Sequence, residues 1–176
     1  MHIVIGILAI IAAAYFWLNR AKRAADAGAD ILDMANDVRL AARRFGFKRK
    51  LDAHPVETVE DARLTATALI FAIGLDGGPL YHSEEEAILH QVQNKFRVDA
   101  NEAEEMVVFG KWLVSRSPSP GQAIERLARR TLKLGGPETW PDLDDMLSAV
   151  YADGDPRRRD ALTAGREDVM RVYRIA

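Results

Sequence analysis

The side chains in this sequence best suited to chemistry are carboxylates. Between positions 76 and 105 stand Asp76, Glu84, Glu85, Glu86, Asp99, Glu102, Glu104 and Glu105, with Lys95 and Arg97 as the cations among them. A field of that sign attracts cations, and hard ions such as calcium and magnesium take oxygen ligands. The candidate metal ligands are Asp76, Glu84 and Glu85, joined from a later turn by Asp153. The same cluster has a structural reading. Glu84 to Glu86 and Glu102 to Glu105 open helices, where negative charge faces the positive end of the helix dipole and contributes about 0.3 to 1 kcal/mol each. The alternating oxygen ligands of an EF-hand loop do not follow Asp76. Both readings stay open at this level.

Other chemistries find fewer parts. Glu86 and His90 lie four apart on one helix face with His82 nearby, a set that suits a transition metal or a surface hydrogen bond; the paired Glu-x-x-His motif of a di-iron bundle is missing. Ser115, Ser117 and Ser119 occupy a Pro-punctuated stretch with no neighbouring His to act as a base. Gly135-Gly136 lacks the Lys-Ser/Thr of a phosphate loop. The absence of Cys removes thiolate zinc sites, cysteine nucleophiles and disulfides. Arg126, Arg129 and Arg130 read as a solvated helix face, and Trp112 and Trp140 as core or edge aromatics. The expectation is a chain that is not an enzyme. The alternative is a metal-dependent hydrolase using the acidic cluster and His90, for which no complete ligand set or nucleophile is visible.

The elements that must position these groups are helices. Val59, Ala62, Leu64, Ala66, Leu69, Ile70 and Ile73 recur with helical period and stop at Asp76-Gly77-Gly78-Pro79, with Thr58 and Asp61 as a capping-box-like start. Ser83 with Glu86 caps the next helix and Asn101 with Glu104 the one after; Pro120 opens a helix that ends at Gly135-Gly136-Pro137. Two more are expected, one around Leu143, Met146, Leu147 and Val150 and one from Asp155-Pro156 through Tyr173. No stretch alternates with period two for long enough to build a sheet. Residues 56–176 therefore read as an all-α domain, a compact bundle of about six helices with short connections.

Two helix ends repeat at an offset of 77: Ala72-Ile73-Gly74-Leu75-Asp76-Gly77-Gly78-Pro79 and Ala149-Val150-Tyr151-Ala152-Asp153-Gly154-Asp155-Pro156. Each copy closes an apolar helix, turns at Asp-Gly and leads through Pro into a charged helix start. The expectation is a pseudo-repeat, two related helical hairpins about a pseudo-twofold with their acidic turns in comparable positions. The stretch from Ala66 to Asp99, ATALIFAIGLDGGPLYHSEEEAILHQVQNKFRVD, resembles the entry of the TerB family, the tellurite-resistance B-like domains, in which an apolar helix ends in an acidic-Gly turn and a Ser-Glu-Glu-rich helix follows. Ala149 to Gly154 resembles the family's second such turn, and the likeness covers about residues 57–175. Gly78-Pro79-Leu80-Tyr81 lengthens the first turn, and Arg157-Arg158-Arg159 stands where the family carries an acidic helix start. The resemblance implies an all-helical bundle, an association with membrane-linked stress responses such as tellurite or metal tolerance, metal binding, and no established catalysis. Some membrane-anchored co-chaperones resemble the layout too, with a span, a TerB-like domain and a J domain. His54-Pro55-Val56 lacks the Asp of the His-Pro-Asp signature, so J-domain activity is not expected.

The formal charge of -2 over 176 residues is a cancellation. Residues 20–50 hold nine Lys/Arg against four Asp, and residues 51–176 hold 15 against 22 Asp/Glu. Ahead of both lies an uncharged run of sixteen residues, 3–18, which at 1.5 Å per helical residue covers about 24 Å of the roughly 30 Å hydrocarbon core. A cleaved signal peptide would begin with Lys or Arg, and none precedes Arg20. Tyr15-Phe16-Trp17 beside Arg20, Lys22 and Arg23 matches an interfacial belt with a positive cytoplasmic flank. The expected layout is a transmembrane anchor at 1–19, a basic, largely helical connector at 20–55 and the helical domain at 56–176. The protein would be a single-pass inner-membrane protein, N-terminus out and C-terminal domain cytoplasmic. Arg39, Arg43, Arg44, Lys48, Arg49 and Lys50 either lie against anionic lipid or form a solvated face. The surrounding acidity argues against nucleic acid. The expected partners are the membrane, an unidentified protein and a divalent cation, with self-association as a further alternative.

Overall fold

The computed structural model describes residues 38, 43–45 and 53–174; the expected anchor and most of the connector lie outside the described residues. Every regular element among the described residues is helical: α1 (Pro55–Thr58), α2 (Ala62–Asp76), α3 (His82–Phe96), α4 (Ala100–Val114), α5 (Pro120–Gly135), α6 (Thr139–Tyr151) and α7 (Pro156–Tyr173). The fold is all-α. None of these helices is long and apolar enough to cross a membrane.

The arrangement follows from one helix. In α2 every side from Leu64 to Gly74 is buried, which a helix apolar around its whole circumference requires. α5 and α4 make its most extensive contacts, and α7, α6 and α3 also pack on it. α7 comes close because Gly165 faces Ile73; a Cβ there would stand 2.7 Å from Ile73 Cγ1. The buried hydroxyls are satisfied locally, Thr65 donating to the Ala62 carbonyl at 2.9 Å and Thr67 to that of Arg63 at 2.8 Å. The compact unit begins at Val38, which is buried against the core; Phe45 packs on it as well.

Several helix starts differ from the sequence expectation. Asp61, not Thr58, caps α2, its carboxylate accepting from the Arg63 amide at 2.8 Å, while the Thr58 hydroxyl closes α1 on the Pro55 carbonyl. α3 starts after Tyr81, whose amide donates to the Glu84 carboxylate at 2.8 Å, and not at the Ser83–Glu86 pair. α4 starts after Asp99, which accepts from the Glu102 amide at 2.8 Å, and not at Asn101. In two of these a carboxylate displaces a neutral cap, as the stronger charge-assisted acceptor for first-turn amides. Ser119 and Gly136, the latter at φ +78°, bound α5 where expected.

Candidate functional site

The turn after α2 is built around an arginine from the other end of the domain. Asp155 caps α7, accepting from the Arg158 amide at 3.0 Å, and this directs the Arg158 side chain inward from the first turn. The Arg158 side chain is 3% exposed. Its Nε donates to Glu84 Oε1 at 2.6 Å and its Nη2 to Oε2 at 2.9 Å, a bidentate pairing. Nη2 also reaches the Pro79 carbonyl at 2.9 Å, while Nη1 donates to the Gly74 carbonyl and approaches that of Gly78 at 3.4 Å. Three main-chain oxygens and one carboxylate thus surround a single cation, so the buried charge is paired and its donors are used.

Tyr151 completes the junction. Its hydroxyl donates to the Ile70 carbonyl at 2.9 Å, and the Arg158 guanidinium lies 5.7 Å from its ring centroid. Burial pushes the phenol well above its ordinary range; the Glu84 carboxylate adds to this and the Arg158 charge opposes it. Gly74 leaves the room, since a Cβ there would collide with the Tyr151 hydroxyl. The two turns that repeat in sequence therefore touch, with Tyr151 and Arg158 of the second filling the first. Their backbones differ, because Gly78 takes φ +115° and Gly154 has no positive φ.

The four candidate metal ligands have separate surroundings. Glu84 is committed to Arg158, and Glu85 pairs with Lys111 at 2.8 Å. Asp76, at the end of α2, and Asp153, in the turn after α6, are exposed. Among the described residues no group of three or more His, Asp and Glu side chains is arranged to hold a metal ion. Glu86 faces His82 at 3.3 Å, while His90 meets Asn94, so Glu86 and His90 do not act together. Two further acidic residues of the cluster have structural work: Glu102 pairs with Arg63 at 3.4 Å and Glu105 with Arg44 at 3.2 Å.

No known protein family, characterised protein or solved structure matches this chain.

What the two turns leave at the surface is a shallow cleft of about 370 Å³ lined by Tyr81, Ser83, Glu84, Val150, Asp153 and Asp155. Tyr81 is 61% exposed, unusual for a large side chain with an apolar ring. Asp153 has no ion-pair partner among the described residues, and Glu84 closes the floor with its charge already met by Arg158. An aromatic face beside a free carboxylate suits a cationic side chain. Asp153 and Glu84 share this cleft; Asp76 and Glu85 are not part of its lining. The residue that sequence reasoning missed is Arg158. It had a signal: Tyr173, Val169, Gly165, Leu162, Ala161 and Arg158 form the buried stripe of α7, so the helical period carried back from Tyr173 selects Arg158 among three consecutive arginines.

Proposed function

We propose that the protein is a membrane-anchored, non-catalytic TerB-like binding module whose cytoplasmic domain engages a partner protein through the cleft between its two Asp-Gly turns. Residues 3–18 supply the anchor, and the association with a tellurite or metal stress response rests on the TerB resemblance. The observation that carries the reading is the juxtaposition of exposed Tyr81 with Asp153 beside a Glu84 already neutralised by Arg158. Such a surface favours a Lys- or Arg-bearing segment over a divalent ion, because the best-placed carboxylate has no charge left to offer a metal. The test is affinity capture of the full chain from membranes, with and without a chelator, beside a Tyr81→Ala/Asp153→Asn variant. A partner captured by the native chain, lost with the variant and indifferent to the chelator is expected. Capture of the same partner by the variant, or only when divalent ions are present, contradicts the reading.

A further inference from the structure

The cleft just described is acidic, yet the domain has a second charged surface of opposite sign. Helix α5 buries Ala123, Ile124, Leu127, Ala128 and Thr131. The cations Arg126, Arg129, Arg130 and Lys133 fall between those positions, at the i, i+3, i+4, i+7 spacing of a single helix face. They line a hollow of about 440 Å³. A second hollow of about 380 Å³ shares Arg129 and Lys133 with it and adds Arg171 and Arg174 from the end of α7, with Leu132 and Val172 between them. Six of the 15 cations in residues 51–176 thus gather on one surface of a segment in which carboxylates outnumber cations.

The anions on this surface do not cancel it. Glu57 pairs with Arg126 at 2.9 Å, Glu125 with Arg129, and Asp168 with Arg171 at 2.9 Å. Arg130 donates to the Val59 carbonyl, and Lys133 and Arg174 have no ion pair among the described residues. Three cations therefore remain without a carboxylate, and the three exposed pairs are of a kind that exchanges partners at little cost.

We propose that this α5–α7 surface lies on the anionic headgroups of the membrane to which the chain is anchored, an inference that rests on the membrane-anchored reading above. A long soluble polyanion would extend past the face and meet the acidic remainder of the domain. A membrane is a polyanion confined to one plane, and its field falls off within about a Debye length, so that it meets this face alone. Leu132 and Val172, half-buried between the arginines, offer apolar contact at headgroup depth. A tether raises the local concentration of lipid, so the face needs little intrinsic affinity.

Because the chain has no Cys, Gln122→Cys carries a single fluorophore into the α5 hollow and Glu86→Cys carries one to α3 as a control. The labelled full chain is placed in phosphatidylcholine vesicles, with or without a minor fraction of phosphatidylglycerol, containing a nitroxide on the headgroup. The expected result is quenching at position 122 in anionic vesicles, lost at high salt, in neutral vesicles and in an Arg129→Glu/Lys133→Glu variant of unchanged melting temperature. Position 86 stays unquenched. Equal quenching in both vesicles, none in either, or survival of quenching in the reversed-charge variant overturns the proposal. Flotation reads the anchor separately: a chain that floats with both vesicles but is never quenched keeps its anchor and loses this surface, and one that floats with neither loses both. A fluorescence change with inorganic polyphosphate that exceeds that with anionic vesicles also overturns it, in favour of a soluble polyanion.

Discussion

Arg158 and Glu84, 74 positions apart in the chain, meet as fork and carboxylate at 2.6 and 2.9 Å, with their side chains 3% and 11% exposed. Leaving either charge buried alone costs far more than the pair contributes, about 3 to 5 kcal/mol in comparable cases. Arg158→Ala should therefore lower the unfolding free energy of the chain by about 3 kcal/mol. Arg158→Lys should recover little, since an ammonium cannot bridge both oxygens and three carbonyls. Arg158→Met/Glu84→Gln should be less damaging than Arg158→Ala alone. Urea denaturation of the four proteins measures this, and a double variant destabilised as much as Arg158→Ala, or more, would contradict the pairing.

Gly74 and Tyr151 test the contact between the two turns. A Cβ at position 74 would collide with the Tyr151 hydroxyl and stand 2.6 Å from Leu80 Cδ2. Overpacking of this kind typically costs about 1 to 3 kcal/mol, so Gly74→Ala should lose about 2 kcal/mol although alanine favours helix. Adding Tyr151→Phe should return part of that loss, and Leu80 keeps the remainder. A stabilised Gly74→Ala would show that the helix ends are not in contact.

The Tyr151 phenol sets the sign of an alkaline effect. In the unfolded chain it releases its proton near pH 10, while burial beside Glu84 keeps the folded phenol protonated to higher pH. Above about pH 10 the unfolded state thus binds fewer protons than the folded one, and stability falls as pH rises. Its contribution is complete below that pH. Tyr151→Phe should cost about 1 kcal/mol at neutral pH through the lost bond to Ile70 and show a shallower alkaline decline. Tyr173, also raised by burial, keeps some slope. Urea midpoints between pH 7 and 11 compare the two proteins.

How far this site was legible depended on sequence distance. The uncharged, mostly apolar run from Leu64 to Gly74 marks a buried helix by itself, and Pro120 and Gly136 mark the ends of α5, because those signals are complete within one turn. The N-caps were legible only to within two or three residues, since Thr58 competes with Asp61, and Asn101 with Asp99, for overlapping amides. Arg158 is a different case. Three consecutive arginines look alike until the stripe ending at Tyr173 is followed backward, and nothing local shows that its carboxylate is Glu84. The repeated Asp-Gly turns were visible, but not that a Tyr in one copy occupies the space left by a Gly in the other.

Divalent ions discriminate between the acidic cluster as a metal site and as a set of ion pairs and caps. A site whose dissociation constant is a hundredth of the ion concentration adds about 2.7 kcal/mol, enough to move a melting temperature by several degrees. Glu84 and Glu85 already face Arg158 and Lys111, and a metal recruiting them would strand both cations, one of them buried. Millimolar calcium, magnesium or zinc should accordingly leave the melting temperature of the full chain within about one degree of its value in chelator. Arg158→Ala inverts the situation. It removes the resident cation and leaves the carbonyls of Gly74, Gly78 and Pro79 with the Glu84 carboxylate around the vacated volume. Calcium or free guanidinium should then raise the melting temperature of the variant while leaving the native chain unaffected. A shift in the native chain, or none in the variant with either cation, would show that Arg158 is not the charge around which this turn is organised.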